Sequence, residues 1–317
     1  MVTVSLAARS VDIGGVPGLS HEDDRNASWL PSFVLLSAIW GASFLFIKVA
    51  DRDFAPLQVA FGRCALGAST LAAILLVRRE RLPRGRTVWA QMMVLAVLFN
   101  SVPFSLFAFG ETRVSSVVAG ICNATTPLWV VLVSLLVLPE ERLNRDRFAG
   151  LVVGFAGVVV VLGPWTGLGG QLVGTLACVA ASACYGIGFP FTRRYLAGRP
   201  DSAVSLSAAQ VLCGTIQLAL VVPWLTEAPD RVGPDPVLSL LVLGAAGTGV
   251  AYVLNYVVIR RAGAANASTV TYLVPLFATV LGVAVLGERL SWNQPVGAVV
   301  VLLGVALSQG RLSRPRT

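Results

Sequence analysis

The chain has 317 residues, 56% of them hydrophobic and 13% charged, with a mean hydropathy of +0.77. Soluble domains carry roughly 25% charged residues, so this composition excludes a water-soluble globule. The net charge of +8 does not mark a nucleic-acid binder, because the arginines stand in connections between apolar runs, with no basic patch of interleaved aromatics.

Residues 1–29 mix acids, arginine, glycine and proline and read as a disordered cytoplasmic tail. They lack the charged start and compact apolar stretch of a cleavable signal peptide. The single histidine, His21, lies there beside Glu22, Asp23 and Asp24, too far from any apolar run to serve a buried site. Apolar runs of spanning length follow at 30–50, 55–77, 87–109, 113–137, 148–163, 171–195, 203–225, 236–258, 264–285 and 291–309. A bilayer core roughly 30 Å thick takes about 20 helical residues per crossing. Stretches this long and unbroken do not show the two-residue alternation of a barrel strand. The predicted fold is all-α: a polytopic membrane bundle of ten transmembrane helices arranged as two inverted five-helix repeats. The first repeat covers 30–163 and the second 171–309, with a cytoplasmic tail at 310–317.

Orientation follows from the basic residues. Of the 24, eighteen lie in the two tails and in the connections after the second, fourth, sixth and eighth runs. Five lie on the opposite side, at Lys48, Arg52, Arg113, Arg231 and Arg289. A cytoplasmic excess of Lys and Arg places both termini inside.

The repeat is visible when the second half is slid back by about 145 to 148 positions. VLPEERL then falls on VLGERL, so that Glu141-Arg142-Leu143 meets Glu288-Arg289-Leu290, and the next helix glycines, Gly150 and Gly297, follow at the same spacing. Pro127 meets Pro275. Trp40-Gly41 with Phe44 meets Tyr185-Gly186 with Phe189. Five crossings are an odd number, so the second copy enters the membrane from the other side. Two near-equivalent halves related in this way can exchange conformations and open a central site to each face in turn.

The residues able to line such a site are few. The eighth run carries Thr248, Tyr252 and Asn255 on one helical face. The fourth offers Ser116, Asn123 and Thr126, and the ninth Ser268, Tyr272 and Thr279. Asn100 falls opposite Thr248 in the repeat, and Asn123 opposite Thr271. Together with Trp40, Ser43 and Tyr185, these hydroxyls, amides and rings form the expected substrate-binding set: Trp40, Ser43, Asn100, Asn123, Thr126, Tyr185, Thr248, Tyr252, Asn255, Thr271 and Tyr272. The bland alternative is interhelical hydrogen bonding, worth roughly 0.6 kcal/mol per contact. This amide, hydroxyl and aromatic lining suits a neutral or zwitterionic solute better than a strongly anionic one.

Arg63 is the one charge well inside a run, roughly 12 Å below its outer end at 1.5 Å per residue. An intramembrane charge is a functional group by default. Glu111 is on the same side and is the expected partner; the two align with Gln210 and Ile259 in the second half, so both charges are absent there together. Arg63 and Glu111 are therefore the expected coupling or gating pair. Gly150, Gly154, Gly157, Gly297 and Gly304 permit close helix contact, either within the chain or at the face of a homodimer. Cys64, Cys122, Cys178, Cys184 and Cys213 lie in apolar segments without C-x-x-C spacing, so neither a metal site nor a cofactor is expected.

Taken together, Trp40-Gly41 with Phe44 and Lys48, Arg63, ETRVSSVVAGICNATTPLWVVLVS at 111–134, RRAGAANASTVTYLVPLFATVLG at 260–282 and the two ERL motifs make the chain similar to EamA-type members of the drug/metabolite transporter superfamily, over roughly residues 30–310. The resemblance implies ten helices, cytoplasmic termini, a plasma-membrane location and movement of amino acids, metabolites or drug-like compounds through a central cavity, with efflux the expected direction. The extra residue in Pro139-Glu140-Glu141, against Gly287-Glu288, departs from the repeat at the fourth connection. No G-x-x-x-x-G-K-[ST] phosphate loop is present to power transport, so the partners expected are a small solute and the lipid bilayer, and no nucleic acid. A flippase of the same fold is the nearer alternative. An intramembrane enzyme is the more distant one, because the runs contain no histidine, no aspartate and no H-E-x-x-H motif.

Overall fold

A computed structural model describes residues 29–137, 143–163, 165, 169–196, 199–255, 257–258 and 270–309. Among these residues the protein is all-helical, with no strand. We label the segments α1 (Leu30–Ala50), α2 (Pro56–Arg78), α3 (Arg86–Glu111), α4 (Ser116–Val137), α5 (Arg145–Leu162), α6 (Gly170–Leu196), α7 (Ala203–Leu225), α8 (Pro234–Asn255), α9 (Val270–Leu286) and α10 (Asn293–Ser308). Seven of them, α1 to α4 and α6 to α8, are long and apolar enough to cross a membrane. The apolar helices α9 and α10 are shorter. In α5 the first turn carries Arg145, Asp146 and Arg147.

The helix ends follow local chemistry. Pro56 and Pro234 open α2 and α8 at positions where a missing N–H costs nothing. Ser115, Asn144 and Ser202 cap α4, α5 and α7 by accepting from the backbone N–H groups of Val118, Arg147 and Ser205 at 3.2, 2.8 and 3.0 Å. Gly163 ends α5 in the left-handed conformation, with φ 54°.

Three departures from a plain helix matter. Helix α4 is interrupted at Ala124 and Thr125, just before Pro127, which cannot donate to the turn above it. At this break the carbonyl of Cys122 accepts from the Thr125 N–H at 3.0 Å and from the hydroxyls of Thr125 at 2.6 Å and Ser182 at 2.9 Å. Helices α3 and α8 each contain one π-helical turn, at Val97–Ser101 and Ala245–Val250. The two turns occupy equivalent positions in the repeat, 148 residues apart. Such turns widen a helix locally and recur at functional sites.

Packing repeats between the halves as well. Helix α1 packs on α9 and α4 on α6; a methyl built at Gly41 would stand 2.4 Å from Cβ of Phe277, and one at Gly186 2.2 Å from Cβ of Trp129. Helices α5 and α10 run antiparallel in close contact, because Gly150 meets Ser308 and Gly304 while Gly297 meets Gly157 and Val161. The glycine stripes thus serve contact within the chain. Helices α2 and α7 are antiparallel too, since Ser205 Oγ donates to the Arg81 carbonyl at 2.7 Å and Gln58 Nε2 to the Glu227 carbonyl at 2.7 Å at the other end. Large apolar side chains such as Leu76, Leu136, Leu220 and Val299 stand exposed on the outside of the bundle, where lipid replaces water as the solvent.

Candidate functional site

Helices α2, α3, α7 and α8 converge where the two π turns lie. On one side of this seam Arg63 of α2, 7% exposed, donates from Nε to Thr248 Oγ1 of α8 at 3.0 Å, and its Nη2 lies 3.5 Å from the Gly247 carbonyl. The Phe104 ring of α3 covers the guanidinium, with Cζ 3.8 Å from the ring centroid. On the other side Gln210 of α7 donates from Nε2 to Asn100 Oδ1 of α3 at 2.8 Å, and Asn100 Nδ2 donates to the Tyr252 hydroxyl at 3.2 Å. Gln210 Nε2 lies 3.4 Å from the same hydroxyl.

These two arrangements are one arrangement repeated. Arg63 and Gln210 are equivalent in the repeat, as are Asn100 and Thr248, so each half sends a donor from its second helix to an acceptor on the other half's third. The helices approach closely at both places: a methyl at Gly67 would stand 2.7 Å from Thr248 Cγ2, and one at the equivalent Gly214 3.0 Å from Asn100 Cβ. Thr248 and Tyr252 are one turn apart on α8, which stacks the two polar groups along a single face. The rings of Phe99 and Tyr185 lie alongside, stacked at 5.8 Å with 21° between planes, and Phe107 approaches Tyr185 at 6.0 Å.

The structure brings together Arg63, Asn100, Thr248 and Tyr252, with Tyr185 among the neighbouring rings, and leaves other expected residues elsewhere. Tyr272 turns to the far end of α10 and donates to Gln309 Oε1 at 2.6 Å, away from the central group. Ser43 bonds back to its own helix at the Ile39 carbonyl, 3.0 Å away. It faces an apolar groove of about 330 Å³ between α1, α8 and α9, lined by Ile39, Ala42, Val242, Gly247 and Phe277. Trp40 packs half-buried against the core. Asn123 ends the first part of α4 and Asn255 lies in α8, both partly exposed. Thr126 is buried with its hydroxyl unpartnered. Thr271 lies half-buried in the first turn of α9. Ser268 and the Glu141-Arg142 motif lie outside the described residues.

The expected ion pair does not form: Arg63 and Glu111 are not within 4.0 Å of each other. Thr248 and the Phe104 ring hold the guanidinium in the seam instead. Glu111 is fully buried at the end of α3 and neither carboxylate oxygen has a hydrogen-bond partner. Its main-chain carbonyl accepts from Lys48 Nζ of α1, which also donates to the Val114 carbonyl at 2.8 Å. Lys48 thereby closes the C-terminus of α3. Beside it, just past α1, Asp51 also holds both carboxylate oxygens buried without a donor, and burial pushes its carboxyl up to about 8 against the opposing pull of Lys48.

Three contributors escape the sequence reading. Gln210 was signalled only by its alignment with Arg63. Asp51 stands at a helix end, where an acid looks solvated. Glu288 of the second ERL motif caps α4 from the connection after α9: Oε1 accepts from the Ser116 N–H at 2.8 Å, and Oε2 accepts from the Val117 N–H at 3.2 Å and the Ser116 hydroxyl at 3.0 Å. A carboxylate on unpaired N–H groups at a positive helix end gives that motif a physical meaning.

A bundle of long apolar helices with a polar seam between two similar halves defines a polytopic membrane protein with a central polar site. Two copies of the EamA-like transporter family model match the chain, at residues 27–163 and 172–309, and the chain belongs to that family. An uncharacterized transporter of Archaeoglobus fulgidus is 26% identical over 277 residues, covering 86% of this chain and 95% of that protein. The uncharacterized transporter YoaV of Bacillus subtilis is 26% identical over 285 residues, 89% and 96% of the two chains. Among solved structures, a crystal structure of a protein superposes with a TM-score of 0.66 at 20% identity, covering 92% of this chain and 99% of the other.

Proposed function

We propose that the protein is a secondary transporter that exports a small metabolite across the plasma membrane. In this reading it has ten crossings in two inverted copies, both termini cytoplasmic, and a central site alternately open to each side. The single observation that carries the reading is the duplicated seam, Arg63–Thr248 and Gln210–Asn100, each set on a π turn. Equivalent contacts from both halves meeting at one place are what alternating access by exchange of halves requires. The antiparallel pairing of the equivalent helices α5 with α10 and α2 with α7 supports inversion. The excess of basic residues in the tails and in alternate connections supports cytoplasmic termini. Comparing intracellular and extracellular metabolites in cells with and without the protein tests this, followed by uptake of the leading solute into liposomes. A metabolite that leaves cells only when the protein is present is the expected result; no difference in any pool ends the proposal.

Coupling in this reading falls to Glu111. Glu111→Gln is expected to abolish proton-driven transport while leaving solute counterflow intact, and unchanged pH dependence ends that assignment.

The apolar groove between α1, α8 and α9 favours a second reading, the flipping of an amphiphile whose tails remain in lipid. A fluorescent-lipid translocation assay in the same liposomes separates the two.

A further inference from the structure

At the seam one buried charge has no contacting counter-ion among the described residues, and Glu111 acts on it only through space. Arg63 is more than nine-tenths buried in the middle of α2, and no aspartate or glutamate among the described residues lies within 4.0 Å of it. Burying a lone ion costs several kcal/mol even after relaxation, so buried cations are normally paired. Here the neighbours are a hydroxyl, a carbonyl at the limit of hydrogen-bond distance and an aromatic face. These fix the plane of the guanidinium without neutralising it. Nε is committed to Thr248, whereas Nη1 makes no hydrogen bond. A planar fork held from one edge with free donors on the other is the geometry in which arginine takes a carboxylate.

The equivalent position in the second half supplies the contrast. Gln210 there is neutral, and its amide, Asn100 and the Tyr252 hydroxyl satisfy one another. The seam therefore carries one positive charge on the α2/α8 side and only neutral dipoles on the α3/α7 side. Among the described residues no carboxylate bonds to those dipoles to receive an ammonium, while the rings of Phe99, Tyr185 and Phe107 offer an apolar wall.

We propose that Arg63 is the anion-binding residue of the central site, and that the transported solute is an organic monoanion whose carboxylate sits on the free edge of the guanidinium while its uncharged body lies along the aromatic wall. This deepens the transporter reading and rests on it. It departs from the neutral or zwitterionic solute suggested by composition, because the pairing with Glu111 that would have cancelled the charge does not form.

The test uses the full chain, purified and in liposomes, with probes that share one body: 3-phenylpropionate, its amide and phenethylamine, alongside a matched set of aliphatic acids and amides. Binding is read as a thermal shift and as a change in tryptophan fluorescence, and transport as uptake. We expect acids to bind at least tenfold more tightly than their amides, Arg63→Gln to erase that difference, and Arg63→Lys, which keeps the charge without the planar fork, to retain part of it. An unshifted melting temperature for unliganded Arg63→Gln establishes that the variant is folded; if it fails to fold, the Arg63→Lys comparison decides, and a full acid preference in that variant counts against the fork. Amides or the amine binding as tightly as the acids overturns the proposal, as does a set in which no acid binds. Acids that bind yet never cross the liposome overturn the transporter reading and leave the anion site standing. Amides that cross while acids do not have the opposite meaning.

Discussion

The two sides of the polar seam share their backbone and differ in their chemistry. Both place a donor of the second helix against a π turn in the other half's third helix, and both need a glycine, Gly67 or Gly214, at the point of closest approach. The α3/α7 side is closed: Gln210, Asn100 and Tyr252 bond to one another. The α2/α8 side is open, with a charge held but not matched. The two charged side chains that are buried among the described residues, Arg63 and Glu111, both belong to the first half, and their equivalents in the second half, Gln210 and Ile259, are uncharged. Duplication has kept the mechanical joint in both copies and left the electrostatic function to one. A closed polar group rigidifies a packed seam, whereas an unmatched one is held at a cost in stability that only a function can offset.

The comparison breaks most completely if the frame that holds both seams is removed. A methyl at Gly304 would stand 2.2 Å from the backbone nitrogen of Gly154, so Gly304→Val forces α5 and α10 apart. We expect destabilisation of about 3 kcal/mol or more, read as at least a tenfold loss of monodisperse protein by size-exclusion chromatography. A normal yield would mean that this contact is not intramolecular.

The acids at the end of α1 and α3 give the next largest effect, and its sign follows from burial. Asp51 titrates near 3.8 in an unfolded chain and near 8 in the folded one. Between those values the folded state binds more protons, so stability is fully present below about pH 4 and declines as pH rises toward 8. We expect the melting temperature of the native protein to fall from pH 5 to pH 8, and that of Asp51→Asn to fall less steeply, because Glu111 remains buried there, and to exceed the native value at pH 8. An equal fall in both proteins would assign the pH response to other groups.

The closed side of the seam comes third. Asn100→Leu leaves Gln210 and the Tyr252 hydroxyl with only each other, and we expect a loss of about 2 kcal/mol, the usual cost of a buried polar group deprived of its partner. Reversible unfolding in mixed micelles measures it. A loss below about 0.5 kcal/mol would mean that water takes the amide's place and that the seam is less dry than its burial indicates.

The helical class, the membrane environment and the positions of the apolar runs were legible because long apolar stretches admit few structures in lipid. The repeat was read from glycines, prolines and the ERL motifs, and it sets Asn100 opposite Thr248, positions that each fall in a π turn. The π turns were not legible: VLFNS and AAGTGV carry no pattern that separates a widened turn from an ordinary one. The Arg63–Glu111 pairing was misread for a general reason. Periodicity places residues on faces and depths, but which of two acceptors an arginine meets depends on the crossing of α2 with α8, a tertiary property. Tyr272 was misplaced similarly, its ring lying along α10 toward Gln309 instead of toward the seam. The role of Gln210 was within reach, since an equivalent of Arg63 that keeps a donor on the same face is itself a candidate.

The smallest predicted effect concerns the cap that Glu288 places on α4, the helix that is broken at Ala124 and Thr125. Both carboxylate oxygens are engaged, on two backbone N–H groups and one hydroxyl, and the charge lies where the helix end is positive. Glu288→Gln keeps one acceptor and the shape but loses the charge and the second acceptor, so we expect a loss of about 1 kcal/mol, near the usual value of a helix cap. Glu288→Ala should cost somewhat more. The contact also ties the connection after α9 to the start of α4, two elements on different halves, so its strength should add to any state in which they stay together. If Glu288→Gln lowers stability without changing transport, the contact is a cap alone; if it changes the rate of counterflow while stability falls by the same small amount, the two ends separate during the cycle.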